Sequence, residues 1–253
     1  MRGRLAAEWA SFLLACQFLT RLPIPARWDA GRMAAAPRWY PAAGLVVGAL
    51  AAAAYGLAAL RFGSGLAALA ALGAGMLVTG CLHEDGFADV CDGIGGGASR
   101  ERALEIMRDS RLGTYGVAGL ALMLLARWQA LAELRPALIP LALLAGHAAS
   151  RASCVAAMAG GTYARAAGAA ASVAGGVGWR SVAVAALIAA APVLALLILA
   201  PVAALAGVAA LALAHLATRL WYGRRLGGYT GDCLGAVQQT GELAFYLGLL
   251  GWS

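Results

Sequence analysis

The chain has 253 residues, of which 62% are hydrophobic and 12% charged, with a formal net charge of +7. A soluble domain carries about a quarter charged residues, and apolar runs of this length would leave a soluble bundle too little polar surface to hydrate. The composition excludes that class. It also argues against a nucleic-acid binder, because the arginines are scattered between apolar runs and form no dense basic tract.

Residues 1–20 begin with Arg2 and Arg4, contain an apolar stretch and lack a small-residue cleavage site; Arg21-Leu22-Pro23-Ile24-Pro25 follows instead. This predicts a retained, short amphipathic helix that lies on the membrane or partly enters it. Apolar runs then follow from Pro41 to Leu60, Leu66 to Leu82, Gly113 to Ala132, Pro136 to about Met158, about 181–199, 202–220 and Cys233 to Leu250. Each approaches the roughly 20 residues a helix needs to cross a bilayer. The expected fold is all-α, a polytopic transmembrane helical bundle of about seven spans, with residues 1–253 forming one integral membrane domain.

Most arginines fall in segments 21–38, 83–112, 160–180 and 219–232, while the turns near 61–65, 133–136 and 200–201 are very short. The positive-inside rule places the Arg-rich segments in the cytoplasm, which for a bacterial cell means a multi-pass inner-membrane protein. Lysine is absent, so any charged phosphate contact must come from guanidinium groups, which can bind bidentately. The cysteines at 16, 81, 91, 154 and 233 form no CxxC pair and are expected to be reduced.

Seven of the twelve carboxylates lie within residues 84–109. Carboxylates beside long apolar segments are costly to bury and point to a working, hydrated site. If the second span continues as a helix through residue 92, Asp85, Asp89 and Asp92 share one face within an arc of about 60°. Three such carboxylates need a counter-charge. Mg²⁺ fits, since it is commonly held by a few carboxylates plus substrate phosphates. No Ca²⁺ loop is present, and His83 with Cys91 is too few ligands for zinc.

Gly86 and Gly93 follow carboxylates of this stripe and would let a ligand approach the backbone. Gly93 with Gly95, Gly96 and Gly97 would open a loop before a helix from Ser99 to Leu112, with Ser99 as its cap and Gly113 as its stop. A glycine-rich loop entering a helix N-terminus can cradle a phosphate. On that helix Glu101, Glu105 and Asp109 would form a second acidic stripe, which also reads as a solvated face with Glu–Arg pairs. Arg151 interrupts an apolar span and must face the bundle interior, where it would meet a phosphate or a structural carboxylate. His147 and His215 read as satisfied interior histidines. Asp232, before the last span, either completes a metal or catalytic site or caps that helix.

Six blocks stand in order across nearly the whole chain: Gln17 through Pro25, His83 through Gly93, Arg102 through Gly113, Ser150-Arg151, Tyr163-Ala164-Arg165, and Gly227 through Gly235. Together they resemble the adenosylcobinamide-GDP ribazoletransferase (cobalamin synthase) family. Glu84 departs from the family, which commonly has an apolar residue there. The resemblance implies a Mg²⁺-dependent enzyme that attaches GDP-activated cobinamide to α-ribazole or its 5′-phosphate and releases GMP. It implies Asp85, Asp89 and Asp92 as metal ligands, and Asp109 and Asp232 for metal support or base duty. His83, Gly86, Gly93, Arg108, Arg111, Arg151 and Arg165 would contact substrate. Membrane lipid is the other expected partner; a homo-oligomer is compatible with the sequence.

Two alternatives stay open at this point. Asp89-x-x-Asp92-Gly93 and Glu105-x-x-x-Asp109 echo the ends of the CDP-alcohol phosphotransferase signature, although Gly96-Gly97 replace its Ala-Arg. A cation-coupled transporter would also use an acidic stripe, but usually at the bilayer midplane.

Overall fold

The structure is a computed structural model that describes residues 2–165 and 177–252. The Gly/Ala-rich connection expected at 160–180 lies outside the described residues from 166 to 176. The helices are α1 (Arg2–Leu19), α2 (Ala30–Ala35), α3 (Tyr40–Ala59), α4 (Ser64–Thr79), α5 (Leu82–Gly96), α6 (Arg100–Ile106), α7 (Thr114–Glu133), α8 (Ile139–Ala159), α9 (Trp179–Leu199), α10 (Pro201–Leu226) and α11 (Gly231–Leu250). Short 3₁₀ turns precede α3 and α8. Among the described residues the only β pairing is an isolated parallel bridge, Tyr163 with Tyr229.

Among the described residues, five helices are long and apolar enough to cross a membrane, those at Ala30–Ala59, Thr114–Glu133, Pro136–Ala159, Trp179–Leu199 and Pro201–Leu226. The expected count of about seven resolves into these five, a bent pair and one polar-cored helix. The bent pair is α4 with α5, whose axes meet at 89°. The polar-cored helix is α11, as long as its neighbours, whose Gln238, Gln239 and Glu242 are buried. It can carry them because α5, α7, α8 and α10 pack around it and shield those groups from lipid. Exposed Leu57, Leu77, Leu122, Leu187, Ile198 and Leu213 make the outer face apolar, as lipid contact requires. The N-terminal helix differs from expectation. Its open side carries Leu5 and Trp9, and its inner side Leu14, Ala15 and Cys16, so α1 is apolar on both sides rather than amphipathic.

Central α8 packs against α3 through a small-residue seam. A Cβ built at Gly48 would lie 2.8 Å from the Leu143 carbonyl oxygen, and one at Gly44 would strike the backbone at His147. The spacing Gly44-x-x-x-Gly48 is the close-packing pattern of membrane helices. Substituting leucine at Gly48 must push these helices apart. A destabilisation of about 1–3 kcal/mol is expected, read as a lower melting temperature in detergent.

At one end of the bundle, arginines satisfy carbonyls at helix C-termini. Arg100 Nε donates to Leu226 O at the end of α10 (2.8 Å), and Arg225 donates to Gly97 O at the end of α5 (2.6 Å). Arg219 donates to Gly160 O, just beyond α8. Cations there complement the negative ends of the helix dipoles. These contacts, with Tyr229 N donating to Thr162 O (2.9 Å), bring segments 83–112, 160–165 and 219–232 together at the same end, as the arginine distribution predicted.

Candidate active site

The second span does not run straight into the acidic segment. Gly80 (φ 64°) and Cys81 (φ 58°) are both left-handed, and the chain turns there. A non-glycine residue seldom adopts that conformation. Beyond the turn α5 leaves the line of α4, and we place it at the bundle rim, outside the five spans. Asp85, Asp89 and Asp92 still share one face of α5, but their settings differ: Asp85 is exposed, Asp89 half-buried and Asp92 buried.

Asp92 accepts hydrogen bonds from Gly113 N (2.7 Å) and Gly116 N (2.8 Å). It therefore caps the free amides of α7 from outside that helix. Gly113, expected to stop a helix, is instead the N-cap position of α7. The helix expected over 99–112 ends early: Ser99 caps α6 as anticipated, accepting from Arg102 N, but α6 stops at Ile106. Glu101, Glu105 and Asp109 therefore form no continuous stripe. The expected phosphate loop is absent too, because Gly93, Gly95 and Gly96 belong to α5. A Cβ on Gly93 would lie 2.9 Å from Ala103 O, so this glycine serves close packing with α6.

Asp109 is bound by Arg111, whose Nη2 donates at 2.6 Å, and these hydrogen bonds hold its carboxyl down at about 2. Both residues line an open groove with Asp92, Arg102 and Glu105. Arg108 is exposed nearby. This group stands apart from the cavity described next.

That cavity, of about 150 Å³, is lined by His83, Asp85 and Gly86 of α5, Arg151 and Cys154 of α8, and Asp232 and Gly235 of α11, with apolar walls from α1 and α3. Two glycines allow α5 and α11 to meet. A Cβ on Gly86 would lie 2.9 Å from Asp232 Cα, and one on Gly235 2.9 Å from His83 O. This close approach brings Asp232, distant in sequence, beside Asp85. Thr230 takes the capping role at α11, accepting from Cys233 N, so Asp232 is free to face the rim. Arg165 Nη2 pairs with Asp232 at 2.8 Å. Burial, opposed by Arg165 and Thr230, raises the Asp232 pKa. Burial followed by the charges of Asp232 and Asp85 pushes Asp89 up to about 7. Burial and the Arg151 guanidinium hold His83 well below the usual imidazole range, so its ring is neutral.

Beneath the cavity lies a polar layer that sequence reasoning largely missed. Arg127 of α7 donates to Gln239 Oε1 (2.6 Å) and to Glu242, and lies 3.6 Å from Glu84. Glu242 also accepts from Tyr246 (3.1 Å) and Gln238, and pairs with His147 Nδ1 (3.0 Å). Gln239 donates to Glu84 (2.9 Å), so Glu84 is an integral part of this layer. Arg151, 1% exposed, donates to His147 O (3.0 Å), while its Nε finds no partner. Two carboxylates and two guanidiniums thus offset one another in the interior. The available signal was an arginine at 127 within an apolar run, like that at 151, together with the Gln-Gln-x-x-Glu pattern in the last run.

Among the described residues no three His, Cys, Asp or Glu side chains are set to enclose a metal ion. What the rim does present is carboxylates from two helices, a guanidinium at the rim, another at the floor, and a neutral imidazole.

A family model described as cobalamin-5-phosphate synthase matches residues 11–250. The chain is similar to proteins named adenosylcobinamide-GDP ribazoletransferase. One, from Bradyrhizobium diazoefficiens, is 46% identical over 242 residues, covering 94% of this chain and 92% of that one. Another, from Ralstonia pickettii, is 39% identical over 253 residues and covers 98% of each chain. A third, from Shewanella piezotolerans, is 37% identical over 245 residues, 94% of each. No solved structure matches the chain. With nearly every residue inside these alignments, the chain belongs to the cobalamin-5-phosphate synthase family.

Proposed function

We propose that this chain is the multi-pass membrane transferase that joins adenosylcobinamide-GDP to ribazole in the last assembly step of cobalamin. The observation that carries its site is the cavity where Asp85 and Asp232 meet above Arg151. In the reaction the ribazole hydroxyl oxygen forms a bond to the phosphorus that carries the cobinamide arm. The bond from that phosphorus to the GMP oxygen breaks, and the hydroxyl proton leaves to a base. Asp89, held near neutrality, and Asp232 beside it are the carboxylates suited to accept that proton. Arg151 lines the cavity and would supply positive charge to a phosphate there. Arg165 stands at the rim, already oriented by Asp232 and by Met107 O (3.3 Å). The exposed Arg108 and Arg111 would meet the outer part of the donor.

Magnesium is part of this proposal. Asp89, raised by burial and by the charges of Asp232 and Asp85, and Asp232, raised by burial, form with Asp85 a negative rim that one arginine offsets only in part. Such a set fits a cation held by one or two carboxylates and completed by substrate phosphates, which is the usual habit of Mg²⁺. It does not fit an all-protein cage. One or two of Asp85, Asp89 and Asp232 would hold the ion, leaving another to accept the proton, while Asp92 serves α7. The chemistry supplied is neutralisation of pyrophosphate charge.

The site lies at the end of the bundle where Arg100, Arg219 and Arg225 gather, which, by the positive-inside rule, supports a site on the cytoplasmic face of the inner membrane. The test is GMP release from nanodisc-embedded protein given adenosylcobinamide-GDP, α-ribazole and Mg²⁺. Release is expected to require all three, and Asp89→Asn to lower it by about a hundredfold without loss of fold. Full activity of that variant at ordinary Mg²⁺ would remove Asp89 from the site.

A further inference from the structure

The lipid-facing side of α10 ends in charge. Leu213, Ala217, Leu220 and Arg224 are all exposed. At i, i+4, i+7 and i+11 they share one face of the helix within an arc of about 60°. That face meets a cleft of about 570 Å³ between α10 and the end of α5, lined by Ile94, Ala217, Leu220, Trp221, Arg224 and Arg225. The cleft joins an apolar half to two adjacent guanidiniums. Unlike the groove of Asp109 and Arg111, it holds no carboxylate. Among the described residues no ion pair involves Arg224 or Arg225. Arg225 is held in place by Gly97 O (2.6 Å) and Ile94 O (3.3 Å), whereas Arg224 has no hydrogen-bond partner among the described residues.

We propose that this cleft binds an anionic phospholipid from the leaflet at the arginine-rich end of the bundle. Its phosphate meets Arg224 and Arg225, and an acyl chain follows Leu220, Ala217 and Leu213 along α10. Trp221 stands between the two, at the interfacial level where tryptophan settles. A lone arginine at a helix end needs only water, which it reaches by snorkelling. Two adjacent guanidiniums repel each other and gain from an anion shared between them. Basic pockets between membrane helices on the cytoplasmic side take acidic headgroups for this reason. A zwitterionic lipid brings the same phosphate but adds a cation beside the arginines. A free phosphate offers nothing to the apolar half of the cleft. Through Arg225 the bound lipid braces the end of α5, the helix that carries Asp85 and Asp89. The proposal needs only the membrane fold and is independent of the transferase reading.

Quenching of Trp221 by brominated lipid tests the cleft. The full chain is placed in phosphatidylcholine bilayers with a small, equal fraction of brominated phosphatidylglycerol or brominated phosphatidylcholine. The Trp221 signal is the difference between each protein and its Trp221→Phe counterpart. Wild type is expected to favour phosphatidylglycerol about tenfold, as two arginines beside a headgroup allow. Arg224→Gln should lower that preference about fivefold, and Arg224→Lys, which keeps the charge, should retain most of it. Arg61→Gln, in the turn at the opposite end of the bundle, should leave it unchanged. Arg224 is exposed and unpartnered, so its replacement spares the fold, which circular dichroism checks. Equal quenching by the two lipids overturns the proposal, as does a preference that survives intact in Arg224→Gln. An equal loss in Arg61→Gln would reduce the effect to overall charge and overturn the site. Displacement of brominated phosphatidylglycerol by glycerol 3-phosphate would give the cleft to soluble phosphates instead of lipid.

Discussion

Replacing Asp232 by asparagine is expected to lower the rate of GMP release by about 10²–10⁴-fold, the range associated with loss of a proton-transfer group, in a protein that still folds. The fold should survive because Thr230, not Asp232, caps α11. The side chain is also isosteric, so the tight Gly86–Asp232 crossing is undisturbed. What changes is charge. Asp232 is the residue by which α11 adds a carboxylate to the rim built by α5, and it is the ion-pair partner of Arg165. Asparagine neither accepts the hydroxyl proton nor holds a cation as strongly, and it frees Arg165 to move. Assays across a range of Mg²⁺ separate the two roles. A rate restored by high Mg²⁺ assigns Asp232 to the cation, and a rate low at every Mg²⁺ assigns it to the proton. Asp109→Asn makes the contrast. Asp109 is exposed, paired with Arg111 and lies in another groove, so its loss should cost less than about tenfold. Equal losses at both positions would overturn this division of the carboxylates.

Arg127→Met is expected to destabilise the protein by about 3–5 kcal/mol, the cost of leaving a buried partner charge uncompensated. Arg127 is 4% exposed and is the common partner of Glu84 and Glu242. Without it, the interior holds two carboxylates against the single guanidinium of Arg151. Adding Glu84→Leu restores the balance of one with one and should recover much of the loss, because an apolar replacement of a buried ion pair is often neutral or better. Thermal denaturation of wild type, both single variants and the double variant in one detergent completes the cycle. Additive losses, with no recovery in the double variant, would show that the two charges do not act as a pair.

The polar layer that this cycle probes also explains how the interior is organised. On α8, Ile139, Ala142 and Leu143 belong to one apolar cluster and Cys154, Val155 and Met158 to another, with His147, Ser150 and Arg151 between them. The same order recurs on α11, where Gln238, Gln239 and Glu242 separate Val237 from Phe245. It recurs again on α7, where Arg127 separates Met123 from Leu131. The three helices are thus registered by hydrogen bonds at one level. That level lies directly beneath the cavity and supports Arg151 and His83.

By itself the sequence determined the membrane class, the apolar helices and the end of the bundle that carries the arginines, and it pointed to the acidic segment as the candidate site. These are properties of composition and local periodicity, and each is readable within a window of a few turns. It also singled out Arg151 as a charge amid apolar residues, Asp85 as part of a carboxylate stripe, and Asp232 as a carboxylate just before the last apolar run. The tertiary structure alone decided which of those charges act together. The left-handed pair Gly80–Cys81 turned α5 away from α4, and the contact of Gly86 with Asp232 joined α5 to a helix almost 150 residues later in the chain. Asp92 went to the amides of α7 and Asp109 to Arg111, each taken by a partner that periodicity on its own helix does not reveal. Glu84, Arg127 and Glu242 come from separate helices, and their pairing depends on packing between them. Hydrogen bonding and contact ion pairing need atoms within a few ångströms of one another, and nearness in space bears no fixed relation to distance along the chain. The charged residues that line the candidate site were therefore visible in the sequence as candidates, and their grouping was not.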